Sequence, residues 1–169
     1  MLKLIPDFKT ALESNQNMVG IINNRLQCKL KNLVSFLSQV TTGFNTIAEE
    51  IDCSDLKTAM VAVAIESKQY AKEIRNQLHL FNVNIPTEYN DQLWKNIVVN
   101  VHEQASFAKG GEIVALCNNC EIYYRKLYED VLQEYLPYKN LKNIITYQLF
   151  ATQCAFLKIR LLNTLRFSQ

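Results

Sequence analysis

Turn-forming residues are scarce in this chain, with four Gly and three Pro among 169 residues. So few cannot serve the many hairpins of a sandwich or barrel, and a mostly helical fold follows. Long apolar runs are missing as well. None approaches the ~18 residues of a membrane span, and the opening Met1-Leu2-Lys3-Leu4-Ile5-Pro6 is too short for the apolar region of a signal peptide. Charge of one sign is also lacking. Eighteen Lys+Arg against 16 Asp+Glu leave a net +2, which excludes a dominant charged tail and gives no global drive toward nucleic acid. Histidine is down to two residues, His79 and His102. No Gly-rich phosphate loop, Ser/His/Asp set or Cys/His nucleophile pair is present. Five cysteines is an odd number in a chain long enough to fold without disulfides, so the expectation is reduced thiols in a cytoplasm.

What is present is helical periodicity in a chain that is 49% hydrophobic. From Leu26 the apolar series runs Leu26, Leu30, Leu33, Leu37, Val40, Phe44, Ile47, Ile51, in alternating steps of four and three. That is one stripe on one helix face. After Asp52-Cys53-Ser54-Asp55, with Ser54 read as N-cap, a second series gives Leu56, Met60, Val63, Ser67, Tyr70, Ile74, Leu78 and Phe81. A break around Pro86, with Thr87 as a cap, leads to a shorter series around Trp94. After Gly110-Gly111 come Ile113, Leu116, Cys120, Tyr124, Leu127 and Val131. After Pro137 come Leu141, Ile145, Gln148, Thr152, Ala155, Ile159 and Leu162. The pattern predicts long helices over about 18–51, 55–81, 112–136 and 140–166, and a crossover helix over about 88–108. One-faced helices must pack together. Two short-looped hairpins joined by a long crossover predict an all-α, ferritin-like four-helix bundle over 16–169. Residues 1–15 form a separate amphipathic segment (Leu4, Ile5, Phe8, Leu12) that needs a place to dock.

Several stretches carry a family likeness: Gly43-Phe44 with Ala48-Glu49-Glu50-Ile51, Asp55-Leu56-Lys57, Gln69-Tyr70-Ala71-Lys72-Glu73-Ile74, the lone Trp94, the Glu121 segment ending in Tyr128-Glu129, Gln148-Leu149 and Ile159-Arg160. In their order and spacing, from about Leu33 to Leu162, the chain resembles an uncharacterised bacterial ferritin-like four-helix-bundle family. The resemblance implies a fold shared with ferritins and rubrerythrins, and a stress-associated role by analogy. Those relatives hold two metal ions with a Glu from each of two helices and Glu-x-x-His from the other two. This sequence departs from that pattern. Asn76 and Val99 stand three residues before the histidines, Gln69 replaces an imidazole in Glu66-Ser67-Lys68-Gln69, and Phe156 stands where many family members have His. Ala115, Leu116 and Asn118 occupy otherwise Glu-rich positions.

The candidate residues divide accordingly. Glu49, Glu66 and Glu121, with Glu73, are the carboxylates near inward faces. They would form a reduced metal site, against the plainer reading of charges flanking the stripe and pairing with Lys72 or Arg125. Cys117-Asn118-Asn119-Cys120 lacks the second ligand pair of a zinc site, and it lies too far into its helix for a lowered thiol pKa. Buried small hydrophobes are the better reading. Ser67, Gln148 and Thr152 occupy core seats, either as the remnant of a polar ligand cavity or as a hydrogen-bonded layer. Tyr123, Tyr124, Tyr128, Tyr135, Tyr138 and Tyr147 read as bundle and interface residues. Lys139, Lys142, Lys158, Arg160 and Arg166 lack the density of a nucleic-acid patch. The expectation is a non-enzymatic bundle without cofactor or intact metal centre. It would serve as a structural or interaction module that pairs with a second copy through helix faces, or with an unidentified protein. The alternative is a metal-binding protein using Glu49, Glu66 and Glu121.

Overall fold

The computed structural model describes residues 22–84, 92–104 and 110–168. All regular structure among them is helical: α1 (Asn24–Glu49), α2 (Ser54–His79), α3 (Gln92–Gln104), α4 (Gly111–Leu132) and α5 (Lys139–Leu165). No described helix is long and apolar enough to cross a membrane. The N-terminal segment 1–15, Met18, Pro86, Thr87 and the side chain of His102 lie outside the described residues.

Helix ends differ from the periodicity where local chemistry intervenes. The first helix begins at Asn24 rather than 18. Asn23 is extended, and its side chain accepts the Leu26 N–H at 2.7 Å, which satisfies a donor that the first turn would otherwise leave open. Ser54 is not a cap but the first helical residue of α2. The N-cap is Cys53, whose carbonyl already accepts from Lys57 N–H at 2.8 Å. At the far end of α2, Asn82 takes φ +57° and turns the chain out of the helix at 79 rather than 81. Asn is among the few residues that tolerate this left-handed region. α4 ends at Leu132, four residues early, because Pro137 disfavours helical backbone at Leu136. Lys29 of α1 also reaches across to the Asp130 carbonyl at 2.8 Å and to Glu134 at 2.6 Å. That hydrogen bond, helped by Arg25, holds the Glu134 carboxyl below its usual range. Its stabilisation is therefore present at neutral pH and is lost as acid protonates it.

The long helices close a ring. α1 packs along α2, α2 along α5, α5 along α4, and α4 back along α1. Lys29 meets Glu134 near the start of α1, while Phe36 meets Tyr124 in its middle, so α1 and α4 run antiparallel. Gln148 meets Glu73 while Lys158 lies near Glu66, so α2 and α5 do too. With α1–α2 and α4–α5 each a short-looped pair, residues 80–110 must travel from one end of the ring to the other. The stripes fill the centre, and Leu30, Leu33, Phe36, Met60, Ile74, Tyr128 and Ile145 are all 0% exposed. On α5 the stripe shifts partway along. Phe156 and Asn163 are buried, where the alternation pointed to Ala155 and Leu162. After Gln148 the buried positions step by 4, 4, 3 and 4, where strict alternation would step by 4, 3, 4 and 3 and drift from a straight 3.6-residue helix.

α3 lies in the groove against α1 and α4. Its first turn is capped in trans, with Trp94 N–H donating to the Gln39 side chain of α1 at 3.0 Å. The Trp94 indole lies against α1 at Gly43, where any Cβ would overlap the ring. Replacing a mid-helix Gly by Ala ordinarily gains about 1 kcal/mol, whereas overpacking costs about 1–3 kcal/mol. A rigid indole cannot step aside as a flexible chain would, so the clash prevails. Gly43→Ala is expected to destabilise by about 1–2 kcal/mol and to red-shift the emission of Trp94, the sole tryptophan. Unchanged emission with raised stability would show that the indole does not pack on Gly43.

Candidate functional site

The heart of the ring is polar in composition but closed in its bonding. Ser67 of α2 and Tyr124 of α4 share a hydrogen bond of 2.6 Å across the core. One turn further along α4, the Tyr128 hydroxyl donates to Gln148 Oε1 of α5 at 3.0 Å. The Gln148 amide then donates to Glu73 Oε2 of α2 at 2.9 Å. Glu73 Oε1 in turn accepts from Gln69 at 3.0 Å, toward solvent. Thr152 turns inward on its own helix and donates to the Gln148 carbonyl at 2.7 Å. Ser67, Tyr124, Tyr128, Gln148 and Thr152 are at most 3% exposed. Ser67 thus forms one buried pair with Tyr124, while Gln148 and Thr152 belong to a second bonded group with Tyr128 and Glu73, and each hydroxyl or amide in this layered core has a partner. Tyr128 sits one step off the α4 stripe read from periodicity, and Glu73, read as a carboxylate near an inward face, lies at the rim and bonds to an amide rather than a metal.

Aromatic rings fill the rest. Tyr124 and Tyr128 stack at 6.0 Å. Phe36 and Phe156 meet Tyr124 edge-on at 5.1 and 5.4 Å, and Phe44 reaches Phe156 at 5.9 Å. Burial pushes the Tyr124 and Tyr128 phenols well above their ordinary range. Tyr70 is raised by burial and then by the Glu66 charge. All three stay neutral, and Tyr124 and Tyr128 serve as hydrogen-bond partners.

The carboxylates are dispersed. Glu49 and Glu66 are exposed. Glu66 faces the α2–α5 groove, where partial desolvation raises its carboxyl and Lys158 opposes the rise. Glu121 is held by Arg160 of α5 at 2.8 Å and, more loosely, by Arg125 at 3.8 Å. Among the described residues, no group of three or more His, Cys, Asp or Glu side chains is gathered as a metal ion requires. A di-metal centre calls for carboxylates and imidazoles converging on the core. The groups that converge here are hydroxyls, an amide and aromatic rings, a donor set that does not fit. Cys117 and Cys120 are buried on α4. Burial pushes the Cys117 thiol up to about 12 and that of Cys120 well above its usual range, the reverse of a reactive pair. Tyr123 is half-buried, its ring centroid 6.1 Å from that of Phe36.

No family model, curated protein or solved structure matches this chain.

Two outcomes test the layer. Tyr124→Phe leaves the Ser67 hydroxyl buried without its partner and is expected to cost about 1–3 kcal/mol. The double variant with Ser67→Ala should cost less than the sum of the single changes, with a coupling near 1 kcal/mol in denaturant titrations. Additive effects would show that the bond contributes nothing. In thiol titrations near pH 8, exposed Cys28 and Cys154 should react in the native protein, and Cys117 and Cys120 only after unfolding.

Proposed function

We propose that this chain is a non-catalytic helical bundle of ferritin-like topology, built for rigidity rather than reaction, that acts as a structural or interaction module. The observation that carries this reading is the closed layer itself. Across α2, α4 and α5, the buried hydroxyls and amide bond to one another, and four large aromatic rings occupy the space beside them. In a bundle that oxidises or stores metal, that space belongs to carboxylates and imidazoles. The end-to-end passage of residues 80–110 between two antiparallel pairs supports the ferritin-like topology, as does the order of helices around the ring.

The layer gives reasons for rigidity. A hydrogen bond between neutral buried groups contributes about 1 kcal/mol net, but leaving one group unpaired costs about 1–3 kcal/mol. Sliding one helix by a turn would break several such bonds at once. The register of α2, α4 and α5 is thereby fixed, and their outer faces are held in constant relation. That constancy suits a surface meant to be recognised.

Metal content tests the reading. The full chain, expressed with iron, manganese and zinc supplements and purified without chelator, is expected to carry well under one metal ion per chain by mass spectrometry. Near-stoichiometric metal that falls in Glu66→Gln and Glu121→Gln variants would overturn the proposal and establish the carboxylate site instead.

A further inference from the structure

α5 carries two apolar faces, and only one of them is used by the core. On the outer face, Tyr147, Phe150, Leu157, Leu161 and Leu165 are between 52% and 66% exposed, with exposed Cys154 in line between them. Their positions step by 3, 4, 3, 4 and 4, so they form a continuous seam rising about 27 Å at 1.5 Å per residue. This is the spacing by which one helix seats its side chains into another. Beside the seam runs a groove of about 390 Å3 between α2 and α5, floored by Ala59, Ala62, Ala151 and Ala155. Small residues there leave room for large ones from outside.

We propose that this seam pairs with the same seam of a second copy, making the chain a homodimer through α5. Area is the first argument. At about 200 Å2 for an aromatic side chain and less for Leu, the two aromatics and three leucines leave roughly 500 Å2 of apolar surface on each copy. Two facing copies would then remove about 1,000 Å2, the threshold for a biological interface. Charge is the second. α5 has no acidic residue, which would suit an anionic membrane if its cations were free. Arg160, however, is already bound to Glu121 at 2.8 Å, and Lys158 stands beside Glu66. The two cations beside the middle of the seam, Lys158 and Arg160, therefore face carboxylates of the same chain, which leaves less positive charge there for an anionic membrane. Placement is the third. The chain enters α1 from the N-terminal segment, and α1 lies diagonally across the core from α5. That segment carries Leu4, Ile5, Phe8 and Leu12, with Met1 and Leu2 before them, and to cover the seam it would have to reach from α1 to the opposite corner of the ring.

The proposal deepens the interaction reading above by naming its partner. The metal assay probes the interior and the oligomer measurement probes the outer face, so either can fail alone. The experiment is sedimentation equilibrium of the full chain across the micromolar range. Twice the chain mass is expected. Leu157→Glu and Leu161→Glu, both outward, should each return the monomer with unchanged helical circular dichroism. A short bismaleimide should cross-link the wild type through Cys154, and Cys154→Ser should abolish that product. A wild-type monomer would overturn the proposal. So would a dimer indifferent to both Glu substitutions. A monomer that dimerises only after residues 1–15 are removed would also overturn it, showing the N-terminal segment to be the occupant. A monomer that sediments with phosphatidylglycerol vesicles would overturn it in favour of a membrane surface.

Discussion

A phenol buried in a protein core must find a hydrogen-bond partner, and this fold places two such phenols on successive turns of one helix. Tyr124 and Tyr128 point from α4 into the middle of the ring. One is answered by Ser67 of α2, and the other by Gln148 of α5, itself bonded to Glu73 of α2. Apolar contacts alone tolerate a slide of one helix past another with modest loss, since burial is non-directional. Directional bonds at 2.6 to 3.0 Å do not. Three helices are thus fixed in register by two side chains. The aromatic rings of Phe36, Phe44 and Phe156 tie the fourth to them.

This constraint separates interior from exterior chemically. The tyrosines and cysteines at the centre are held neutral by burial, while Glu121 and Glu134 stand at the rim and pair with cations. Glu121 with Arg160, and Glu134 with Lys29, stitch neighbouring helices together at the edges of the core. What distinguishes the molecule lies on its outside, where α5 leaves an apolar row that its own core does not need.

Much of the architecture is legible in the sequence because the relevant signal is periodic. Leu26 to Phe44 on α1 and Leu56 to Leu78 on α2 are buried as their spacing requires, and Ser67, Gln148 and Thr152 sit in core seats. The misses share a physical cause: each depends on a contact between elements. Asn23 ends α1 through a side-chain cap. The α5 stripe passes through Phe156 and Asn163 rather than Ala155 and Leu162, because strict three–four alternation drifts from a straight helix. Glu73 and Tyr128 enter the layer through partners 75 and 20 residues away. The fit of Trp94 on Gly43 is likewise invisible until α3 and α1 meet.

The end-to-end passage of residues 80–110 has a kinetic consequence. Within each hairpin the closing contacts are near in sequence, whereas Lys29 and Glu134 are 105 residues apart and Glu73 and Gln148 are 75 apart. Bringing the hairpins together therefore carries a loop-closure entropy that neither hairpin bears alone. Chains dominated by such separations fold more slowly than up-and-down bundles of equal size. The hairpins are thus the natural units of partial opening. Slow hydrogen exchange should extend across the layer that joins them, while α3, a short helix seated on α1 and α4 through Trp94, Ile97 and Val101, exchanges separately.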